Sequence, residues 1–128
     1  MPELEIELPK EKTSPFDDTY PVIKDDNTLS IFVADYINQP FEMNKAVHEL
    51  SKLTPDDRVL LYLNTPGGVI DTANYFCAAL ERCQAPVHGL LSGSVCSSGS
   101  LITMYCDTIE VADGCQFMIH NYSGGVSG

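Results

Sequence analysis

Residues 58–80 read RVLLYLNTPGGVIDTANYFCAAL, and the change of period inside them decides the fold. Residues 58–64, RVLLYLN, form a nearly continuous apolar run, the pattern of a strand buried on both faces. Thr65-Pro66-Gly67-Gly68 ends it. Beyond the glycines, Ile70, Ala73, Cys77 and Leu80 recur at helical spacing on one face, and the helix stops before Pro86. A strand that passes through a glycine turn into an amphipathic helix is half of a βαβ unit.

The alternation repeats on either side. LSIFVA, from Leu29, reads as a strand, followed by Met43, Ala46, Val47, Leu50 and Leu53 at helical spacing until Thr54-Pro55-Asp56-Asp57 breaks the pattern. VHGLLS, from Val87, is a third strand, and a third helix runs from about Ser98 to Cys106. TIEVA and CQFMIH follow as a fourth and a fifth strand. The order predicts an α/β domain with a mostly parallel sheet and right-handed βαβ crossovers, over residues 29–128. Residues 1–28 hold four prolines and eight acidic side chains against three lysines, which predicts an extended, mobile acidic N-terminal arm.

Composition narrows the function. A chain of 128 residues with 44% hydrophobic and 20% charged side chains suits one core. Seven basic against 18 acidic residues give a net charge of -11, and no Lys or Arg cluster exists to follow a phosphate backbone, so nucleic acid and anionic membranes are excluded as partners. The five cysteines are odd in number and lack a C-x-x-C pair, which points to a reducing compartment. No signal peptide and no run of 18 apolar residues is visible, so a soluble, cytoplasmic protein is expected. No His/Cys/Asp cluster has metal-ligand spacing, and Gly67-Gly68 lacks the lysine of a phosphate-binding loop; neither metal nor cofactor is expected.

In parallel sheets chemistry collects where the carboxyl ends of strands lead into helices. Gly67-Gly68, the loop from Gly93 to Gly99 and His120 all occupy such places. Ser97 stands at a helix N-terminus, where unpaired N–H groups favour developing negative charge, and serine needs a base, for which His120 is the candidate. Gly67-Gly68 lets a second backbone N–H approach the same point. Each feature also has a plainer reading. Serines before an apolar helix are usually N-caps, Pro-Gly-Gly is most often a turn, and a lone histidine near a strand end is usually structural. Cys96 is an alternative nucleophile, since a helix N-terminus lowers a thiol pKa.

Order and spacing weigh against the plainer readings. LYLNTPGGVIDTANYFCAAL, GLLSGSVCSSGSLITMYC and FMIHNYSGG, taken together, resemble the Clp protease proteolytic subunits, the ClpP-like serine peptidases, over about residues 29–128. The resemblance implies a ClpP/crotonase-like fold, with Ser97 as nucleophile, His120 as general base, and the N–H groups of Gly68 and Ser98 as the oxyanion hole. It implies an extended polypeptide substrate lying as an added strand between Val69 and Ile70 on one side and Tyr122, Gly124 and Gly125 on the other. It also implies a homo-oligomeric ring served by a separate ATPase.

The chain departs from the family pattern in three places. Cys96, Ser98 and Ser100 replace the usual Ala, Met and Ala, and Tyr122 replaces a Pro. The family's third triad residue, roughly fifty positions beyond the base, would fall past Gly128, so the chain reads as part of a longer protein. Asp107 and Asp113 are the nearest upstream acids. These departures keep open a catalytically silent scaffold subunit and a viral capsid-maturation peptidase on the same fold. The crotonase group, which pairs backbone N–H donors at a comparable turn, stands further off because the Ser97 and His120 motifs are the peptidase ones.

Overall fold

Side chains on a strand alternate between faces, and here the alternation separates a covered face from a helix-free one. In the structure, a computed structural model that describes residues 18–119, strand β2 (Thr28–Ala34) buries Leu29, Ile31 and Val33. Strand β3 (Arg58–Thr65) buries Val59, Leu61, Leu63 and Thr65. β3 is therefore not buried on both faces as its apolar run predicts: Leu60 is half-buried and Tyr62 is 37% exposed. The Tyr62 ring stacks on Phe32, centroids 4.6 Å apart and planes 10° apart, so on the face that no described helix covers, paired rings shield apolar surface.

Helices cover the other face. A 3-10 turn (Pro40–Met43) leads into α1 (Asn44–Leu50); Pro40 suits the first helical position, and the Gln39 N–H donates to Glu42 Oε1 at 3.1 Å. Helix α2 (Ile70–Arg82) joins β3 to β4 (Val87–Cys96) and buries Thr72, Ala73, Phe76, Cys77, Ala79 and Leu80. Ile70, expected on that buried face, is 48% exposed, because it opens the helix beside the Gly67-Gly68 turn rather than over the core. Phe76 is fully buried, a contribution of roughly 1.5–3 kcal/mol relative to exposure.

Helix α3 (Ser98–Thr103) is shorter than predicted. Residues 104–106 donate to carbonyls three residues back, at 3.0–3.1 Å, a tightened ending rather than a further α turn. Strands β5 (Thr108–Val111) and β6 (Gln116–Met118) complete a six-stranded sheet of order β1-β2-β3-β4-β5, with β6 pairing β4. β4 changes partner along its length, since His88–Leu91 pair with β5 and Ser94–Cys96 with β6. Every pairing is parallel except that of β1 (Val22–Asp25) with β2.

β1 corrects the arm expected over residues 1–28. Val22 is buried, and Asp26, at φ 53°, turns the chain so that Val22 faces Ile31 across an antiparallel pair. Four residues are too few to register as alternation, which is why composition concealed this strand. Residues 1–17 lie outside the described part. No described helix is long and apolar enough to cross a membrane.

Candidate active site

β4 delivers Ser97 to the carboxyl edge of the sheet and α3 begins at the next residue. Ser97 has φ 57° and ψ −125°, the conformation of the first central residue of a type II′ turn, which a side chain adopts at a cost of about 1–3 kcal/mol. The bonds around it explain why the conformation persists. Its N–H donates to the Met118 carbonyl at 3.1 Å, and its own carbonyl accepts from Ser100 N–H at 2.9 Å, Ser100 Oγ at 2.5 Å and Leu101 N–H at 3.3 Å.

An ordinary N-cap is extended and accepts a helix N–H on its side chain. Ser97 does neither: no side-chain cap bond is present, and among the described residues Ser97 Oγ has no hydrogen-bond partner. A strand, a strained serine and a helix, with the hydroxyl left unengaged, is the arrangement of a nucleophile elbow.

The Gly67-Gly68 turn packs directly against this serine. Gly67 has φ 109°, and a Cβ there would lie 2.6 Å from Ser97 Cβ, so no larger residue fits without displacing the serine. Thr65 Oγ1, fully buried, accepts the Gly67 N–H at 3.0 Å. Ile37 straps the turn from the other side: its N–H donates to the Gly67 carbonyl at 2.9 Å and its carbonyl accepts from Val69 N–H at 2.8 Å. At Gly68, φ 154°, a Cβ would overlap the Ile37 carbonyl. The strap leaves the Gly68 N–H without an acceptor among the described residues, and the same holds for Ser98 N–H at the start of α3. Two unpaired donors thus flank the serine, the arrangement that stabilises an oxyanion.

Several residues that build the site carried no signal in the sequence. Ile37 lies in an irregular segment after β2 and reads as a loop residue, and Met118 contributes only its carbonyl. Thr65 works through both ends of its side chain: its Oγ1 holds Gly67, and its Cγ2 occupies the space a Cβ on Gly99 would need. Only the glycines at 67 and 99 hinted at such close approach.

Other expected residues fall as follows. Val69 and Ile70 are exposed beside the turn, and the Val69 N–H and carbonyl are already bonded to Ile37 and Ala73. His120, Tyr122, Gly124 and Gly125 lie outside the described residues. Asp107 is excluded as third triad member. Its carboxylate accepts the Val87 N–H at 2.7 Å, at the opposite end of β4 and roughly 30 Å of strand from Ser97. Asp113 lies on an exposed turn between β5 and β6.

The cysteines are free. The half-buried Cys96 thiol donates toward the Gln116 carbonyl at 3.7 Å. Burial, with Cys106 nearby, pushes the Cys77 thiol up to about 12, and burial, with Asp107 nearby, pushes Cys106 up to about 11. Neither is a ready nucleophile. Ser98 Oγ is buried without a partner among the described residues, a cost of roughly 1–3 kcal/mol beside the site. Among the described residues no group of three or more His, Cys, Asp or Glu side chains could hold a metal ion.

Comparison with known proteins bears on the family and the fold. The family model described as Clp protease matches residues 15–128. The "ATP-dependent Clp protease proteolytic subunit 2" of Pseudomonas aeruginosa is 26% identical over 102 residues, covering 77% of this chain and 50% of the relative. The chain thus spans about half the length of the curated relative it matches. Two solved structures share the fold. The ClpP protease catalytic domain from Plasmodium falciparum superposes with a TM-score of 0.60 at 19% identity, over 75% of this chain and 55% of that one. An enoyl-CoA hydratase from Mycobacterium avium subsp. paratuberculosis reaches 0.64 at 17% identity, over 78% and 47%.

Proposed function

The chain belongs to the Clp protease family, and on that premise we propose that it is the nucleophile-bearing part of a serine endopeptidase that cleaves unfolded polypeptides. One observation carries the reading: Ser97 is held at φ 57° against a glycine turn, and among the described residues neither its hydroxyl nor the Gly68 N–H has a partner.

In the proposed reaction His120 accepts the proton of Ser97 Oγ as the oxygen attacks the scissile carbonyl carbon. The carbonyl oxygen becomes an oxyanion between the N–H groups of Gly68 and Ser98. Collapse of the intermediate expels the amine, which takes the proton from His120 and leaves an acyl-Ser97. Water, deprotonated by His120, then attacks the acyl carbon and regenerates the serine. Substrate lies beside Val69 and Ile70 on one side and Tyr122, Gly124 and Gly125 on the other. An assembled ring and an ATPase that unfolds substrate belong to the same proposal, supported by the ATP-dependent relative.

A fluorophosphonate probe on the native protein tests the assignment. Labelling should map to Ser97, vanish in Ser97→Ala, and slow strongly in His120→Ala. Equal labelling of wild type and Ser97→Ala would overturn it, and oligomers that neither label nor cleave peptides would establish a silent scaffold instead.

A further inference from the structure

The two halves of the site sit on different strands, so their alignment is a question of register. β3 and β4 run in step from Val59 opposite Val87 to Leu63 opposite Leu91, but the next pair is Thr65 with Val95. Two steps along β3 therefore match four along β4. The shift brings Ser97 level with Gly67, where their contact is observed. Without it Ser97 would be displaced by two residues, about 7 Å at strand rise, and the serine and the glycine turn could not meet.

The extra length is taken up at Ser92-Gly93-Ser94, opposite Asn64. Gly93 has φ 68°, and the space its missing side chain leaves is filled by the Asn64 amide, whose Cγ and Nδ2 stand 2.8 and 2.9 Å from where a Cβ would be. Asn64 Oδ1 accepts the Ser94 N–H at 3.2 Å, and the Asn64 carbonyl accepts the Asp35 N–H at 2.9 Å. Across this bulge β4 leaves β5, last paired at Leu91, and takes β6 as partner, with Ser94 opposite Gln116. That switch puts Met118 where its carbonyl meets the Ser97 N–H.

We infer that Asn64 is a positioning residue: its amide pins the β4 bulge, and the bulge sets Ser97 in register with the oxyanion donors. The consequence for rate rests on the peptidase reading; the path of β4 does not.

Two near-isosteric variants separate the roles of the side chain. Asn64→Asp retains shape and acceptor, whereas Asn64→Leu retains bulk and loses the acceptor. Acylation of Ser97 by a fluorophosphonate should stay within about threefold of wild type in Asn64→Asp and fall roughly 10- to 100-fold in Asn64→Leu, since displacement of about 1 Å can cost a hundredfold. With a peptide substrate the loss should appear in kcat, with KM little changed. Should Asn64→Leu not fold, Asn64→Ala removes the acceptor without adding bulk and leaves Gly93 free to keep its φ of 68°; it should be equally slow.

Wild-type acylation rates in folded Asn64→Leu or Asn64→Ala would overturn the inference. If wild-type Ser97 is never acylated, the peptidase reading falls, and amide exchange over residues 93–98 decides the positioning alone. Faster exchange without the acceptor upholds it, and equal protection in all variants refutes it.

Discussion

The two edges of the sheet are held by different means. At the carboxyl ends of β2, β3 and β4 the backbone bends through positive φ at Asp35, Gly67, Gly68 and Ser97, with Gly93 bending β4 just before its end. At the amino ends, side chains hold an ordinary backbone. Asp107 receives the Val87 N–H, Arg58 Nε donates to Thr28 Oγ1 at 2.9 Å, and the Asp57 carboxylate accepts the Thr54 N–H at 2.8 Å; Asp26 is the one positive φ there. Strain concentrates where, among the described residues, donors and a hydroxyl lack partners, and satisfied polar groups stand at the opposite edge.

Mutations at one edge should therefore change chemistry, and mutations at the other stability. Ser97→Ala should lower peptide turnover a thousandfold or more. Ser97→Gly should be equally inactive yet more stable by about 1–3 kcal/mol, because glycine accepts φ 57° without strain; a denaturant midpoint below that of wild type would contradict this. Gly67→Ala forces its Cβ against Ser97, and acylation should drop about a hundredfold, read by probe kinetics on folded protein.

At the amino edge, Asp107→Ala should cost roughly 1–3 kcal/mol of stability, by urea melt, while the acylation rate per folded molecule stays at its wild-type value. A parallel loss of rate would break the division between the edges. The smallest effect is a pH dependence from the buried thiols. Cys77 and Cys106 are raised to about 12 and about 11, so above the unfolded thiol value the unfolded state binds fewer protons than the native state. Stability should decline as pH rises from about 9 toward those values, and Cys77→Ala should flatten the decline.

How much was legible follows from distance along the chain. The period change across Gly67-Gly68 and the order of the strands are local patterns, and they announced the α/β sheet. Ser97 was legible as a helix start because small residues from Gly93 to Gly99 separate an apolar strand pattern from a helical one, although the expected loop is mostly strand, β4 running on to Cys96. Tyr62 read as buried and is not, since its stacking partner, Phe32, lies thirty residues away. Ile37 and Asn64 were passed over for the same reason: one acts across a bridge to Gly68, the other across a bulge in a neighbouring strand.

By itself the sequence determined the strands and helices from β2 onward, though not β1 or the end of α3, and which serine sits at a helix start, because periodicity and backbone preference act within a few residues. Only the tertiary structure decided that the helices cover a single face, that Ser97 is strained rather than capping, and that Gly67 meets it. Those depend on register between strands, and register is set by packing and hydrogen bonds between residues far apart in the chain.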